Sequence, residues 1–371
     1  MKKIIKISVI IPFYNAEKYF KKCLNSILNQ TLNEIEILCI NDGSVDNSIN
    51  ILQKFSLTDK RIKIVTQKNK GPASARNLGI YLSRGEYLAF MDADDYYPAN
   101  NVLEKLYREA NKTNAIICGG NLEIDVNHNV IETAGYGHLK KNSYINFREY
   151  QNDYGFYRFI YKTSFIKENK LKFPNYKYYE DPPFLLSAMI RATKFYAIKD
   201  NTYCYRLNNI EDNNWDDNKV NDLAKGLLFC ISTANENKLY KNISNHINAI
   251  NNDYKIIIEK HLLNRNEKLF SIMQAIYRQT QEKGYRRSVY YTKIDENISY
   301  LLTKNDISNF YAKNKKIKIT VKKYKKRKLI INIAKCIRDN GIKYTFERIL
   351  FHLHIAKDND ILRTYTKNKK D

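Results

Sequence analysis

The first 120 residues alternate short unbroken apolar runs with stretches whose apolar positions recur every three or four residues. Ile7–Ile11, Ile35–Ile40, Ile62–Val65 and Tyr87–Met91 are the runs, the pattern of strands covered on both faces. Between the first two, Ala16–Asn29 sets Tyr19, Phe20, Cys23, Leu24, Ile27 and Leu28 on one helical face. A second helix is expected from Ser44, as its cap, to about Phe55. A third is expected over Ala73–Leu82 and a fourth over Val102–Asn111, before a strand-like Ala115–Cys118. Strands alternating with helices of about ten residues predict an α/β fold, a mostly parallel sheet flanked by helices. Ligands of such sheets bind at the carboxyl ends of the strands. Three polar clusters fall there: Pro12-Phe13-Tyr14-Asn15, Asn41-Asp42-Gly43-Ser44 and Asp92-Ala93-Asp94-Asp95. Neither G-x-G-x-x-G nor G-x-x-x-x-G-K-[ST] occurs, which argues against a dinucleotide or P-loop site.

The third cluster carries the most chemistry. Three carboxylates within four residues repel one another and are costly to desolvate. A hard cation removes that cost, and Mg²⁺ or Mn²⁺ prefers a few carboxylates together with substrate phosphates. Asp-x-Asp after a strand therefore points to a metal held against a diphosphate. The competing reading is a turn whose acids cap the helix that begins near Val102.

Four segments occur in order: Ser8-Val9-Ile10-Ile11-Pro12-Phe13-Tyr14-Asn15, Asn41-Asp42-Gly43-Ser44, Asn69-Lys70-Gly71-Pro72-Ala73-Ser74-Ala75-Arg76-Asn77 and Asp92-Ala93-Asp94-Asp95. Together they resemble a family 2 glycosyltransferase of the GT-A, Rossmann-like fold, of the kind that builds bacterial surface polysaccharides, over roughly residues 5–210. The resemblance implies that Pro12, Tyr14, Asp42, Arg76, Asp92 and Ala93 contact a nucleotide sugar, with Asp42 at the base, usually uracil. It implies that Asp94 holds Mn²⁺ or Mg²⁺, with Asp95 in a secondary place. It further implies that Asp181, in Tyr178-Tyr179-Glu180-Asp181-Pro182-Pro183-Phe184, is the base taking the acceptor proton as inverting transfer proceeds, with Glu180 in support. Prolines directly after the acids also fit a helix entry, so the acids can instead simply cap a helix over Phe184–Ile190. Arg206, in a run resembling the family's closing strand, is a candidate for the diphosphate. The Tyr- and Asn-rich 134–177 corresponds to the acceptor wall, where aromatic faces stack on sugar rings.

From Val220 to Leu302 the pattern is helical without evident chemistry, an extension expected to pack on the catalytic part. The expected division is 1–210 catalytic, 211–310 helical and 311–371 a basic tail. Net charge is +24, and residues 311–371 hold 19 Lys or Arg against five acids, so the charge is local. Residues 313–328 contain ten cations and no acid, followed by apolar residues at amphipathic spacing up to 355. That pattern suits an anionic membrane surface; a solvated tail competes, and no nucleic-acid module supports RNA or DNA. The amino terminus mimics a signal peptide, but Lys6 interrupts it and Pro12 follows, so a first strand and a cytoplasmic protein, peripheral at the inner face of the membrane, are expected. Six scattered cysteines without a CxxC pair fit reduced thiols.

The functional expectation is an inverting, metal-dependent transfer of one sugar from a UDP-sugar to a surface glycan or its lipid-linked precursor. An inactive nucleotide-sugar-binding or membrane scaffold and a nucleotidyltransferase are the alternatives. A processive synthase is disfavoured because Gln-x-x-Arg-Trp is absent.

Overall fold

The structure, a computed structural model, describes residues 4–126, 129–132, 137–207 and 215–303. The basic segment 313–328, the apolar run behind it and Cys336 lie outside the described residues.

The opening half-domain follows from its apolar runs. β1 (Ile7–Phe13) and β2 (Ile35–Asn41) are buried along their whole length, and with β3 (Ile62–Thr66) and β4 (Tyr87–Phe90) they form a parallel sheet in the order β3-β2-β1-β4. Helices α1 (Phe20–Leu28), α2 (Ser48–Thr58) and α3 (Pro72–Leu82) connect these strands, and α4 (Val102–Thr113) follows them. α1 buries Phe20, Cys23, Leu24 and Ile27, the face read from sequence, but starts four residues later. Asn15 takes a left-handed conformation (φ 50°), and the next residues form a turn before the helix begins.

Ser44 does not cap α2. Its N–H donates to Asn41 Oδ1 and its hydroxyl accepts the Asn15 N–H, so it ties the loop after β2 to the loop after β1. The helix starts four residues on, with Asn47 at its N-cap.

Beyond α4 the sheet becomes mixed. β5 (Ile117–Val126) runs far past the expected Cys118 and pairs with β6 (Asn129–Glu132). β7 (Ser143–Asn146), α5 (Phe147–Tyr150), β8 (Phe159–Lys162) and α6 (Thr163–Glu168) occupy the aperiodic zone. α7 (Asp181–Ala192) and the long β9 (Lys194–Leu207) complete it. β8 inserts antiparallel between β4 and β5, and β9 pairs parallel with β5 and antiparallel with β7. Among the described residues the result is a nine-stranded mixed sheet flanked by helices.

Among the described residues six further helices follow: α8 (Asp217–Glu236), α9 (Tyr240–Asn252), α10 (Lys255–Leu263), α11 (Glu267–Thr280), α12 (Lys283–Arg286) and α13 (Glu296–Thr303). Asp216 and Asn266 cap α8 and α11 by accepting N–H groups three residues on. One continuous apolar core runs from Ile7 on β1 to Leu302 on α13, so the helical region shares its interior with the sheet. No helix among the described residues is long and apolar enough to cross a membrane. The five described cysteines are free and buried.

Candidate active site

The loops at the carboxyl ends of β1, β2 and β4 meet as the alternation predicted. Tyr14 is half exposed there, whereas Pro12 is buried inside β1. Asp42 is buried and holds the loop entering α3, accepting the N–H groups of Lys70 and Gly71 at 2.8 Å each and Gln67 Nε2 at 2.7 Å. Gly71 sits at φ 88°, a conformation that favours glycine, and Pro72 opens the helix at N1.

Arg76 is the hinge of the site. α3 buries its guanidinium between two carboxylates from distant parts of the chain: Nη2 meets Asp92 Oδ1 at 2.7 Å and Nη1 meets Glu180 Oε1 at 2.6 Å. Phe156 and Phe173 lie 4.9 and 5.3 Å from it. Burial disfavours its charge, but the two acids outweigh that and hold it protonated. The turn after β4 and the start of α7 are thereby joined through one planar fork.

The three acids of the turn divide their tasks. Ala93 is buried between Asp92 and Asp94, both partly exposed. Asp95 turns inward, accepting Tyr203 Oη–H and the Arg206 N–H at 2.7 Å each. Burial first, and then the charges of Asp94 and Asp92, push its carboxyl well above the usual range. It fastens the turn to β9. None of the acids caps α4, whose N-cap is Asn101. Arg206 stacks near Tyr19 and Tyr96, with Asp125 at 4.0 Å. Its buried Nε and Nη2 have no hydrogen-bond partner.

Glu180 and Asp181 open α7, and Glu180, at the N-cap, makes no cap hydrogen bond and is committed to Arg76. Pro182 and Pro183 remove two of the N–H groups that a helix start normally offers to an anion. Desolvation and then the neighbouring Glu180 push Asp181 up to about 8, against the opposing pull of Arg76. A carboxyl so placed is a proton acceptor near neutral pH.

Arg76, Asp92, Glu180 and Asp181 line one cavity of about 1310 Å³. Its walls carry Tyr150, Tyr154, Tyr157, Tyr178, Tyr205 and Tyr254, with the amides of Asn152, Asn245 and Asn248. Of the tyrosines in 134–177, Tyr154 and Tyr157 line this cavity, while Tyr161 is buried in the core. α9 and the turn after it supply Asn245, Asn248, Asp253 and Tyr254, so the helical extension is a wall of the cleft.

Sequence reasoning missed what supports the α7 turn. Tyr179 is left-handed (φ 65°), and its hydroxyl joins Tyr154 Oη at 2.7 Å and His246 Nδ1 at 3.0 Å. His246 Nε2 donates to Asp153 Oδ2 at 2.9 Å, the tautomer following from Asp153 being an acceptor. Cys230 lies beside this pair, the three ligand atoms falling within 4.8 Å of one another. The direct Nε2–Oδ2 bond marks the trio as a hydrogen-bonded support, and a thiol is a poor donor for Mg²⁺ or Mn²⁺. α8 can approach only because residue 226 is glycine: a Cβ there would fall 2.6 Å from the Tyr179 carbonyl oxygen. A lone His at position 246 in an apolar helical repeat carries no signal of this in the sequence.

Asp92 and Asp94 fit a hard divalent cation: both are carboxylates at a strand end, partly exposed to a ligand, while the third acid is withdrawn into the fold.

A model of glycosyl transferase family 2 matches residues 8–169. The glycosyltransferase EpsJ of Bacillus subtilis is 31% identical over 216 residues, 54% of this chain and 61% of that protein, so the chain spans about three fifths of that relative's length. The crystal structure of S. aureus TarS 1-349 in complex with UDP-GlcNAc superposes with a TM-score of 0.61 at 21% identity, over 74% of this chain and 83% of that one; what is shared there is the fold. The glycosyltransferase GlyG of Streptococcus pneumoniae is 30% identical over 284 residues, covering 70% of this chain and 91% of its own. With that relative matched almost end to end, and the family's four segments lying at the strand ends described, the chain belongs to glycosyl transferase family 2.

Proposed function

We propose that this protein transfers a single sugar, with inversion, from a UDP-sugar to a hydroxyl of a glycan acceptor lying in the 1310 Å³ cleft. The observation that carries the reading is the Arg76 fork. It brings the Asp92–Asp94 turn and the Glu180-Asp181 pair to the edge of one cavity, through an arginine that lies 104 residues from Glu180. TarS, which shares the fold, holds UDP-GlcNAc in its crystal structure, and this favours a uridine donor.

In this reading the uracil sits by Asp42, with Tyr14 alongside, and the ribose and diphosphate follow the Asp92-Ala93-Asp94 turn. Arg206 Nη2, which has no hydrogen-bond partner, supports its reaching the diphosphate. Asp92 and Asp94 would hold Mn²⁺ or Mg²⁺, which when bound supplies positive charge against the leaving diphosphate. Asp181 takes the proton of the acceptor hydroxyl while its oxygen attacks the anomeric carbon, the bond from that carbon to the diphosphate oxygen breaks, and UDP departs. Arg76 holds Glu180, and so the turn bearing Asp181, against the donor side. The tyrosine and asparagine lining suits sugar rings and hydroxyls. The ten cations of 313–328 favour placing the enzyme at an anionic membrane surface, where a lipid-linked acceptor is met.

Calorimetric titration with UDP tests the donor side. Binding should appear in Mn²⁺ and weaken at least tenfold, about 1.4 kcal/mol, in EDTA or in Asp94→Ala. Equal UDP affinity with and without the metal would remove Asp94 as its holder.

A further inference from the structure

The loop between α12 and α13 is built, not merely a connection. Tyr285 is wholly buried, and its hydroxyl accepts the Thr292 N–H at 2.9 Å and donates to the Thr292 carbonyl at 3.3 Å. Thr292 Oγ1 in turn pairs with Ser244 Oγ of α9 at 2.6 Å. The Tyr285 ring lies 5.4 Å from that of Tyr291 and 6.2 Å from that of Tyr240. The two ends of the segment 286–291 are thus pinned together and to the helical body.

What the pinned loop presents to solvent is apolar at its tip. Val289 is 94% exposed, with Tyr290 at 45% and Tyr291 at 37%. Lys283, Arg286 and Arg287 are exposed around the tip, Lys293 is exposed and paired with Glu296 at 3.8 Å, and residues 282–293 hold a single acid, Glu282. A rigid loop that spends a buried tyrosine on holding valine and two tyrosines in water, ringed by cations, is matched to an interface that is apolar within and negatively charged at its rim.

We propose that the loop Arg286–Tyr291 docks on the headgroup layer of an anionic lipid surface, with Val289, Tyr290 and Tyr291 entering the interface. Tyrosine suits that depth, having an apolar body and a polar tip. Arg286, Arg287 and Lys283 pair with anionic headgroups. Three side chains are far too few for a stable protein partner, which needs about 800 Å² on each side, whereas apolar insertion combined with charge suffices at a membrane. The ten-cation segment begins ten residues past the end of α13, so both contacts belong to the same end of the chain. The inference rests on the membrane reading given for 313–328, but on different residues.

The test uses the full chain with Val289→Cys in a Cys336→Ser background, labelled with an environment-sensitive fluorophore, because the five other cysteines are buried. With phosphatidylglycerol vesicles the protein should sediment and the label brighten and shift blue, whereas phosphatidylcholine vesicles should do neither. Arg286→Gln with Arg287→Gln should weaken partitioning about thirtyfold, two cations at about 1 kcal/mol each. Sedimentation with an unchanged label overturns the loop proposal and leaves the membrane reading to the basic segment. Absence of sedimentation overturns both. A label already shielded before lipid is added shows that protein covers the tip, which also overturns the proposal.

Discussion

Asp181→Asn should reduce transfer by about 10² or more, the usual worth of a general base, while UDP affinity and fold stay intact. The amide keeps the size of the side chain but cannot accept the hydroxyl proton. Burial and Glu180 hold the Asp181 carboxyl at about 8, so kcat/KM should fall as pH drops through that value, and the variant should lose this acid limb. The effect on stability has the opposite sense. The fold favours the protonated carboxyl, so ionising it costs stability as pH rises from the ordinary carboxylate value near 4 toward about 8. At pH 9 the variant should therefore melt no lower than the parent. Near-normal kcat in Asp181→Asn would move the base elsewhere, with Glu180 the next candidate. A lower melting point at pH 9 would instead mean that the ionised carboxylate is favoured by the fold.

Arg76→Met should destabilise the protein by about 3–5 kcal/mol, because it leaves two poorly exposed carboxylates without their shared cation. Adding Glu180→Gln should recover part of that loss by removing the more buried of the two charges. Arg76→Lys should rescue poorly, since an ammonium cannot offer the two-pronged geometry that bridges Asp92 and Glu180. UDP affinity should fall with stability, as an uncompensated Asp92 repels the diphosphate. Denaturant unfolding curves decide this: a loss under about 0.5 kcal/mol, the range of an ordinary surface substitution, would show that the fork is not formed in solution.

Much of the site was legible because it lies where two regular signals meet. Unbroken apolar runs placed β1, β2 and β4, and the polar residues directly after them could only fall at the carboxyl end of a parallel sheet. That located Tyr14, Asp42, Asp92 and Asp94 without any tertiary information. The separate fates of the three clustered acids were not legible. Nothing local distinguishes Asp95 from Asp94, and its withdrawal depends on Tyr203 and on the Arg206 N–H of β9. The same holds for the Arg76–Glu180 pair, where a helical arginine reads as surface until its partner 104 residues away is known.

The second half of the sheet was hidden for a different reason. β7 and β8 are four residues each, too short for alternation to stand out, and β8 enters antiparallel between β4 and β5, which only long-range pairing decides. Ser44 illustrates the local error: its residue type suits a helix cap, but its hydroxyl is taken by Asn15 across the crevice. The contribution of α9 to the cleft left no mark, because Asn245, Asn248 and Tyr254 are ordinary residues of an amphipathic helical region.

The most direct test follows the anomeric carbon. The purified full chain, incubated with UDP-GlcNAc and Mn²⁺ without acceptor, can pass the sugar to water, and early proton NMR spectra show which anomer of the free sugar forms first. With attack opposite the departing UDP and the proton taken by Asp181, the α-linked donor should give the β sugar first, and Asp181→Asn should suppress its formation. The α sugar appearing first, or hydrolysis unchanged in Asp181→Asn, would contradict the account.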